Sequence, residues 1–206
     1  MLSGLDRRPG KRLFDIVVSA VALIMLAPVL LAIAVAEWAS SGPAFYRQQR
    51  VTLYGERFEI LKFRTMVVGA DRMSANVSPA GDPRVTRLGR FLRRWYLDEL
   101  PQLFNVLRGD MSIVGPRPET AEFVALLAPE ERRVLTVRTG MAGPSTLAFM
   151  DEAEILAAAP DPAAYYRTTM VHQRVGADLT YLDHRSLAYD LGLLFRQAAA
   201  IARRLR

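Results

Sequence analysis

The chain has 206 residues, enough for one core of ordinary size, and contains no cysteine, which excludes disulfide scaffolds, thiol nucleophiles and cysteine-zinc sites. Lys and Arg number 27 against 21 Asp and Glu, a formal charge of +6. This favours an anionic partner: nucleic acid, a phosphorylated ligand or the cytoplasmic leaflet of a membrane.

From Ile16 to Ala36 there is no ionisable side chain, and Asp15 and Glu37 bound the run. About 20 helical residues suffice to cross a bilayer. A cleavable signal peptide would carry a shorter apolar core followed by a small-residue cleavage site, which the Trp38 to Pro43 region lacks. Arg7, Arg8, Lys11 and Arg12 precede the run and place its start on the cytoplasmic side. Two readings then stand. A straight span would carry the chain after Trp38 out of the cytoplasm. Pro28, however, sits near the middle, where proline removes a backbone hydrogen bond and clashes with the preceding turn. Arg47, Arg50, Arg57, Lys62 and Arg64 follow, so both flanks are basic. A helix that enters, bends at Ala27-Pro28 and returns satisfies both observations.

Phe45 to Arg50 and Arg57 to Phe63 read as strands of a hairpin around Tyr54-Gly55-Glu56, and Gly69 to Pro83 as a loop. A helix is predicted from Leu88, with Phe91, Leu92 and Trp95 on its apolar side and Arg90, Arg93 and Arg94 on its polar one. A second is predicted to start at Asp98 as its cap, accommodate Pro101 and end near Gly109. Further helices are expected over 119–127, 129–137, 152–158 and 163–173. The last begins near Ser186, with a stripe of Leu187, Leu191, Leu194, Phe195, Ala198 and Ile201 beside Arg196, Arg203, Arg204 and Arg206. Such a stripe suits a membrane surface and suits the domain's own core equally well.

No GxxxxGK[ST] loop, GxGxxG or HExxH is present, so a phosphate-handling site would rely on arginines and helix N-termini. Asp98-Glu99 offers such a place. Adjacent carboxylates on a helix project about 100° apart, which suits two separate tasks, attack and metal binding, better than a facing pair. A helix N-terminus would keep Asp98 ionised and attract a diphosphate. A structural cap and a first-turn acid would account for the same two residues without chemistry.

The order of blocks is more specific. Lys11-Arg12-Leu13-Phe14-Asp15 precedes the apolar run with its central proline, and Lys62-Phe63-Arg64-Thr65-Met66 follows. Then come Leu97-Asp98-Glu99-Leu100-Pro101-Gln102-Leu103-Phe104-Asn105-Val106-Leu107 and Gly109-Asp110-Met111-Ser112-Ile113-Val114-Gly115-Pro116-Arg117-Pro118. This succession resembles the monotopic phosphoglycosyl transferases of the bacterial sugar transferase family. The resemblance implies an α+β, mostly helical fold. Residues 1–40 would form a basic flank and re-entrant membrane helix broken at Pro28. Residues 41–206 would form a cytoplasmic catalytic domain with a small hairpin and interfacial helices, at the bacterial inner membrane.

The implied reaction moves a sugar 1-phosphate from a nucleotide diphosphosugar, of the uridine type, to a polyprenol phosphate such as undecaprenyl phosphate, initiating glycoconjugate synthesis. Carried over residue by residue, Asp98 is the nucleophile that takes up the phosphosugar and Glu99 the ligand of a magnesium ion. Arg93, Arg117 and Arg138 are candidate phosphate contacts, joined by Lys62 and Arg64. Two departures stand out: Ala27-Pro28 occupies a position where Ser-Pro is common in the family, and Met150 falls where a basic residue is expected. An inactive membrane-surface adaptor of the same fold is the alternative, against which the intact Asp98-Glu99 pair argues. Nucleic acid is not an expected partner, because the basic residues adjoin apolar segments and lack aromatic interleaving.

Overall fold

The computed structural model describes residues 9–40, 42–73 and 77–204; Arg7, Arg8 and Arg206, counted above among the basic flanks, lie outside them. Helix α1 (Pro9–Ala39) carries the apolar run and is continuous through Pro28. The proline therefore does not end the helix. One face of α1 lies against the rest of the chain from end to end. Phe14, Val18, Leu23 and Leu26 pack on one hydrophobic cluster, and Leu30, Ile33 and Ala34 on another. Its other face leaves Leu13, Val17, Ile24, Met25, Leu31 and Trp38 exposed.

Polar contacts hold both ends of α1. Near its start, Arg12 donates to the carbonyls of Val106 at 2.5 Å and Leu107 at 2.8 Å. Asp15 accepts from Ser112 Oγ at 2.8 Å and from the Ile113 N–H at 3.1 Å. Near its end, the buried Glu37 pairs with Arg64 Nη2 at 3.1 Å. At 1.5 Å per residue, the two anchoring regions are about 35 Å apart along the helix.

Strands β1 (Phe45–Val51) and β2 (Arg57–Phe63) form the expected antiparallel hairpin, with Phe45 opposite Phe63. The chain reverses through Tyr54 and Gly55, both at positive φ. Helix α2 (Arg87–Arg94) is capped by the Thr86 side chain, which accepts from the Gly89 N–H. Its inward residue is Leu92. Phe91 and Trp95, expected beside it, are 53% and 42% exposed, and the other buried residue of the helix is Gly89.

Helix α3 (Gln102–Arg108) starts later than predicted and ends at Gly109, whose φ of 98° is the left-handed C-terminal geometry expected of that glycine. Two short strands, β3 (Ser112–Val114) and β4 (Gly140–Ala142), pair in parallel. Their cross-chain separation and three-residue length gave no period to read.

Of the helix expected over 119–127, only α4 (Ala121–Val124) forms. The segment expected to be helical over 129–137 is a 3-10 turn, Glu131–Thr136, because Val137 must become extended to enter β4. Helix α5 (Pro144–Ala148) was not foreseen, whereas α6 (Glu152–Ala158) was. Helix α7 (Pro162–Tyr165) passes through a π turn into α8 (Val171–His184), eleven residues beyond the predicted end at Gln173. Helix α9 (Leu187–Arg204) closes the described chain. Of its expected stripe, Leu194 packs on the core while Leu187, Leu191 and Phe195 face outward, and the buried apolar residue of the helix is Leu193, outside that stripe.

Candidate active site

Between α2 and α3 the chain turns sharply. Tyr96 is left-handed, at φ 54° and ψ 21°, and Leu97–Glu99 form one 3-10 turn. A non-glycine residue held there costs on the order of 1–3 kcal/mol. The strain delivers both carboxylates into one polar interior. Asp98 is thus not the N-cap of α3, and the dipole expected to keep it ionised is not its main influence.

Three segments bring cations to the pair. Strand β2 supplies Lys62, whose Nζ lies 2.8 Å from Glu99 Oε1. The loop after β3 supplies Arg117, with Nη1 3.9 Å from the same oxygen. Helix α2 supplies Arg93, which donates from Nε to Thr65 Oγ1 at 2.9 Å and from Nη1 to Ser78 Oγ at 2.8 Å. Ser78 in turn donates to Asp82, which is locked against Arg84 at 2.6 Å. The loop after β2 is thereby fixed where it supports Arg93.

Burial pushes the Asp98 carboxyl upward, and the charge of Glu99 adds to this, while Lys62 and Arg93 oppose it. For Glu99, burial acts the same way but Lys62 and Arg117 outweigh it and hold that carboxyl below the usual range. The environment therefore separates two adjacent acids: one takes up a proton readily, the other stays charged. A pair so divided is a common property of reactive carboxylates.

Behind Arg117 lies a buried charged cluster that sequence reasoning missed. Arg174 on α8 bridges Glu152 and Glu119, and Tyr166 donates to Glu119 at 3.0 Å. Burial opposes the charge of Arg117, but Glu99, Glu152 and Glu119 raise its pKa overall. Charged residues at helical spacing read as a solvated face, so nothing local marked Arg174 as 2% exposed.

A family model described as bacterial sugar transferase matches residues 6–204. The chain belongs to that family. Over 195 residues it is 38% identical to a Caulobacter vibrioides protein named UDP-glucose:undecaprenyl-phosphate glucose-1-phosphate transferase, covering 93% of this chain and 69% of that one. The exopolysaccharide production protein ExoY of Sinorhizobium fredii is 34% identical over 208 residues, with 93% and 85% covered. An undecaprenyl-phosphate galactose phosphotransferase of Salmonella typhimurium is 34% identical over 209 residues, 94% of this chain but 40% of that protein.

In this bacterial sugar transferase, Lys62, Arg93, Asp98, Glu99 and Arg117 come together, while two other candidates stand apart. Arg64 spends its Nη2 on the Glu37 carboxylate, the Glu37 carbonyl and Ser40 Oγ. Arg138 donates from Nε to the Gly109 carbonyl at 2.8 Å, at the far end of α3 from the acid pair. The cation found at Met150 is Arg204 of α9, which donates to the Met150 carbonyl and, at 3.1 Å, to the Tyr96 hydroxyl.

Magnesium is commonly held by one or two carboxylates together with substrate phosphates. No group of three His, Asp or Glu side chains suited to a metal occurs among the described residues. Asp98 and Glu99 thus fit a magnesium ion only in company with phosphate oxygens. Lys62 and Arg117 both approach the single oxygen Glu99 Oε1.

Proposed function

We propose that the chain transfers a sugar 1-phosphate from a uridine-type nucleotide diphosphosugar to a polyprenol phosphate, with undecaprenyl phosphate as the natural candidate. The products are polyprenol-diphosphate-sugar, the first lipid-linked intermediate of a glycoconjugate, and nucleoside monophosphate. The observation that carries this reading is the buried Asp98, adjacent to Glu99 and set among Lys62, Arg93 and Arg117. The names of the Caulobacter and Salmonella relatives, both acting on undecaprenyl phosphate, support the acceptor.

In the first step an Asp98 oxygen attacks the phosphorus bearing the sugar. The bond to the bridging oxygen breaks, and nucleoside monophosphate leaves with that electron pair. In the second step a phosphate oxygen of the polyprenol phosphate attacks the same phosphorus, and Asp98 departs as a carboxylate. Dividing the transfer spares the enzyme from aligning a soluble and a membrane-bound substrate at once. Arg93 and Arg117 bind and orient the diphosphate, and Lys62 keeps Glu99 charged. Magnesium held through Glu99 would supply further charge neutralisation on the diphosphate.

The contacts of α1 support its re-entry. Its two ends are anchored to one domain, at α3 and β3 on one side and at Arg64 on the other, while its opposite face is apolar and exposed. A straight span would set those ends on opposite sides of about 30 Å of hydrocarbon. On this reading the catalytic domain shares the side of its basic N-terminal flank, the cytoplasmic face of the inner membrane. Incubating the full chain with a panel of nucleotide diphosphosugars and no acceptor tests the two-step reading. Release of about one nucleoside monophosphate per enzyme is expected from the first step, and strict dependence of release on acceptor would overturn it.

A further inference from the structure

Asp178, on α8, is 3% exposed and bridges the segments that follow β3 and β4. Its Oδ2 accepts from the Arg117 backbone N–H at 2.9 Å and from Ser145 Oγ at 2.7 Å, and its Oδ1 accepts from the Ser145 N–H at 2.9 Å. Arg117 lies just beyond β3, and Ser145 opens α5 just beyond β4. Between the two segments the Gly115 N–H donates to the Ala142 carbonyl at 2.8 Å and the Gly140 N–H donates to the Pro116 carbonyl at 2.7 Å. The peptide joining Pro116 to Arg117 is thus held at its carbonyl by Gly140 and at its N–H by Asp178. The approach of the two segments is close: a Cβ added at Gly140 or Gly143 would collide with the backbone of Gly115.

We propose that Asp178 is a positioning residue that holds the backbone of Arg117 so that its guanidinium is directed at Glu99 and at the donor diphosphate. This rests on the reading of Arg117 as a diphosphate contact. All three donors point at the carboxylate, and an ionised carboxylate accepts without donating, so its chemistry matches the site fully. Asparagine cannot match it. Whichever way the amide is turned, its NH2 faces a backbone N–H, of Arg117 or of Ser145, and one of these loses its acceptor. Burial pushes the Asp178 carboxyl upward while the three bonds oppose that shift. A buried acid with no role in holding these backbones would be poorly placed here.

A double-mutant cycle on the detergent-solubilised full chain distinguishes positioning from general support, because coupled residues give non-additive losses. The probe is uridine diphosphate with magnesium, titrated by calorimetry into wild type, Asp178→Asn, Arg117→Gln and the double variant. Asp178→Asn should weaken binding by about tenfold, in line with one displaced charged contact, yet by less than about twofold when Arg117 is already Gln. Asp178→Glu keeps the charge and displaces it by one methylene. It should give an intermediate loss that also vanishes in the Arg117→Gln background, and it serves where the asparagine variant does not fold. Equal losses in both backgrounds, or no loss from either Asp178 variant, would overturn the inference. Failure of wild type to bind the probe would instead overturn the donor reading on which it rests, and the inference with it.

Discussion

Lys62 Nζ lies 2.8 Å from Glu99 Oε1, an ion pair that ties strand β2 to the turn carrying both acids. Its charge lowers the pKa of Glu99 and of Asp98 alike. Lys62→Gln should therefore cost about 10²-fold in the first step, in the range seen when one preorganised charge-stabilising group is removed.

The pH dependence has a definite sign. Asp98 attacks as the carboxylate, and burial together with Glu99 raises its pKa above the ordinary aspartate range. The rate of nucleoside monophosphate release should fall on acidification at a pH above about 3.9, the value of an unperturbed aspartate. Lys62→Gln should move this acidic limb to still higher pH. Stability moves the opposite way: a folded-state pKa above the unfolded one means the fold binds more protons, so protonating Asp98 favours the folded state. A pH-rate profile recorded beside melting temperatures checks both limbs.

Asp98→Asn removes a buried charge whose ionisation opposes folding. It should abolish turnover while leaving the melting temperature equal or higher, by about 2–4 °C for each kcal/mol regained in a chain of this size. Glu99→Gln differs, because it strands Lys62 and Arg117 without their carboxylate. Its melting temperature should fall, and its remaining activity should need more magnesium.

The buried pair of Glu37 and Arg64 fixes the end of α1. Arg64→Ala leaves Glu37 uncompensated and should cost about 3–5 kcal/mol, whereas Glu37→Leu with Arg64→Met should recover much of it. Denaturant unfolding of the three proteins reads this directly. Since the chain has no cysteine, single cysteines at positions 5 and 200 report topology cleanly. Both should resist an impermeant thiol reagent in intact cells, and labelling of one alone would mean a straight span.

The segment around Met150 should answer to Arg204 rather than to the methionine side chain. Arg204 pairs with Asp151 at 3.2 Å and Glu154 at 3.0 Å and reaches the Met150 carbonyl and Tyr96. Arg204→Ala should lower activity several-fold with little change in melting temperature, because exposed ion pairs contribute roughly 0–1 kcal/mol. Met150→Ala preserves the carbonyl and should have the smaller effect.

Local pattern made the hairpin, α2, the end of α3 at Gly109 and α9 legible in the sequence, because each rests on turn glycines, a cap or a periodic apolar face. The start of α3 was misread. Asp98 and Pro101 are good first-turn residues, but the left-handed Tyr96 turns the chain one step earlier and a 3-10 turn follows. The β3–β4 pair and the cluster of Glu119, Glu152 and Arg174 escaped because each depends on partners far along the chain. Of the candidate site, Lys62, Arg93 and Arg117 stand with the acids, although Lys62 and Arg117 come from separate blocks of the sequence. Arg64 and Arg138 shared the charge but not the place, since a motif gives residue type and spacing without the direction of the side chain.

Whether Asp98 becomes covalently loaded is measured most directly by peptide mass spectrometry of the full chain, quenched in acid after exposure to donor and magnesium without acceptor. The peptide containing Asp98 should gain the mass of one sugar phosphate, Asp98→Asn should gain none, and adding polyprenol phosphate before the quench should discharge the wild type. An adduct of the same mass on Asp98→Asn, or an unmodified wild-type peptide while product accumulates with acceptor present, would contradict the assignment of Asp98 as nucleophile.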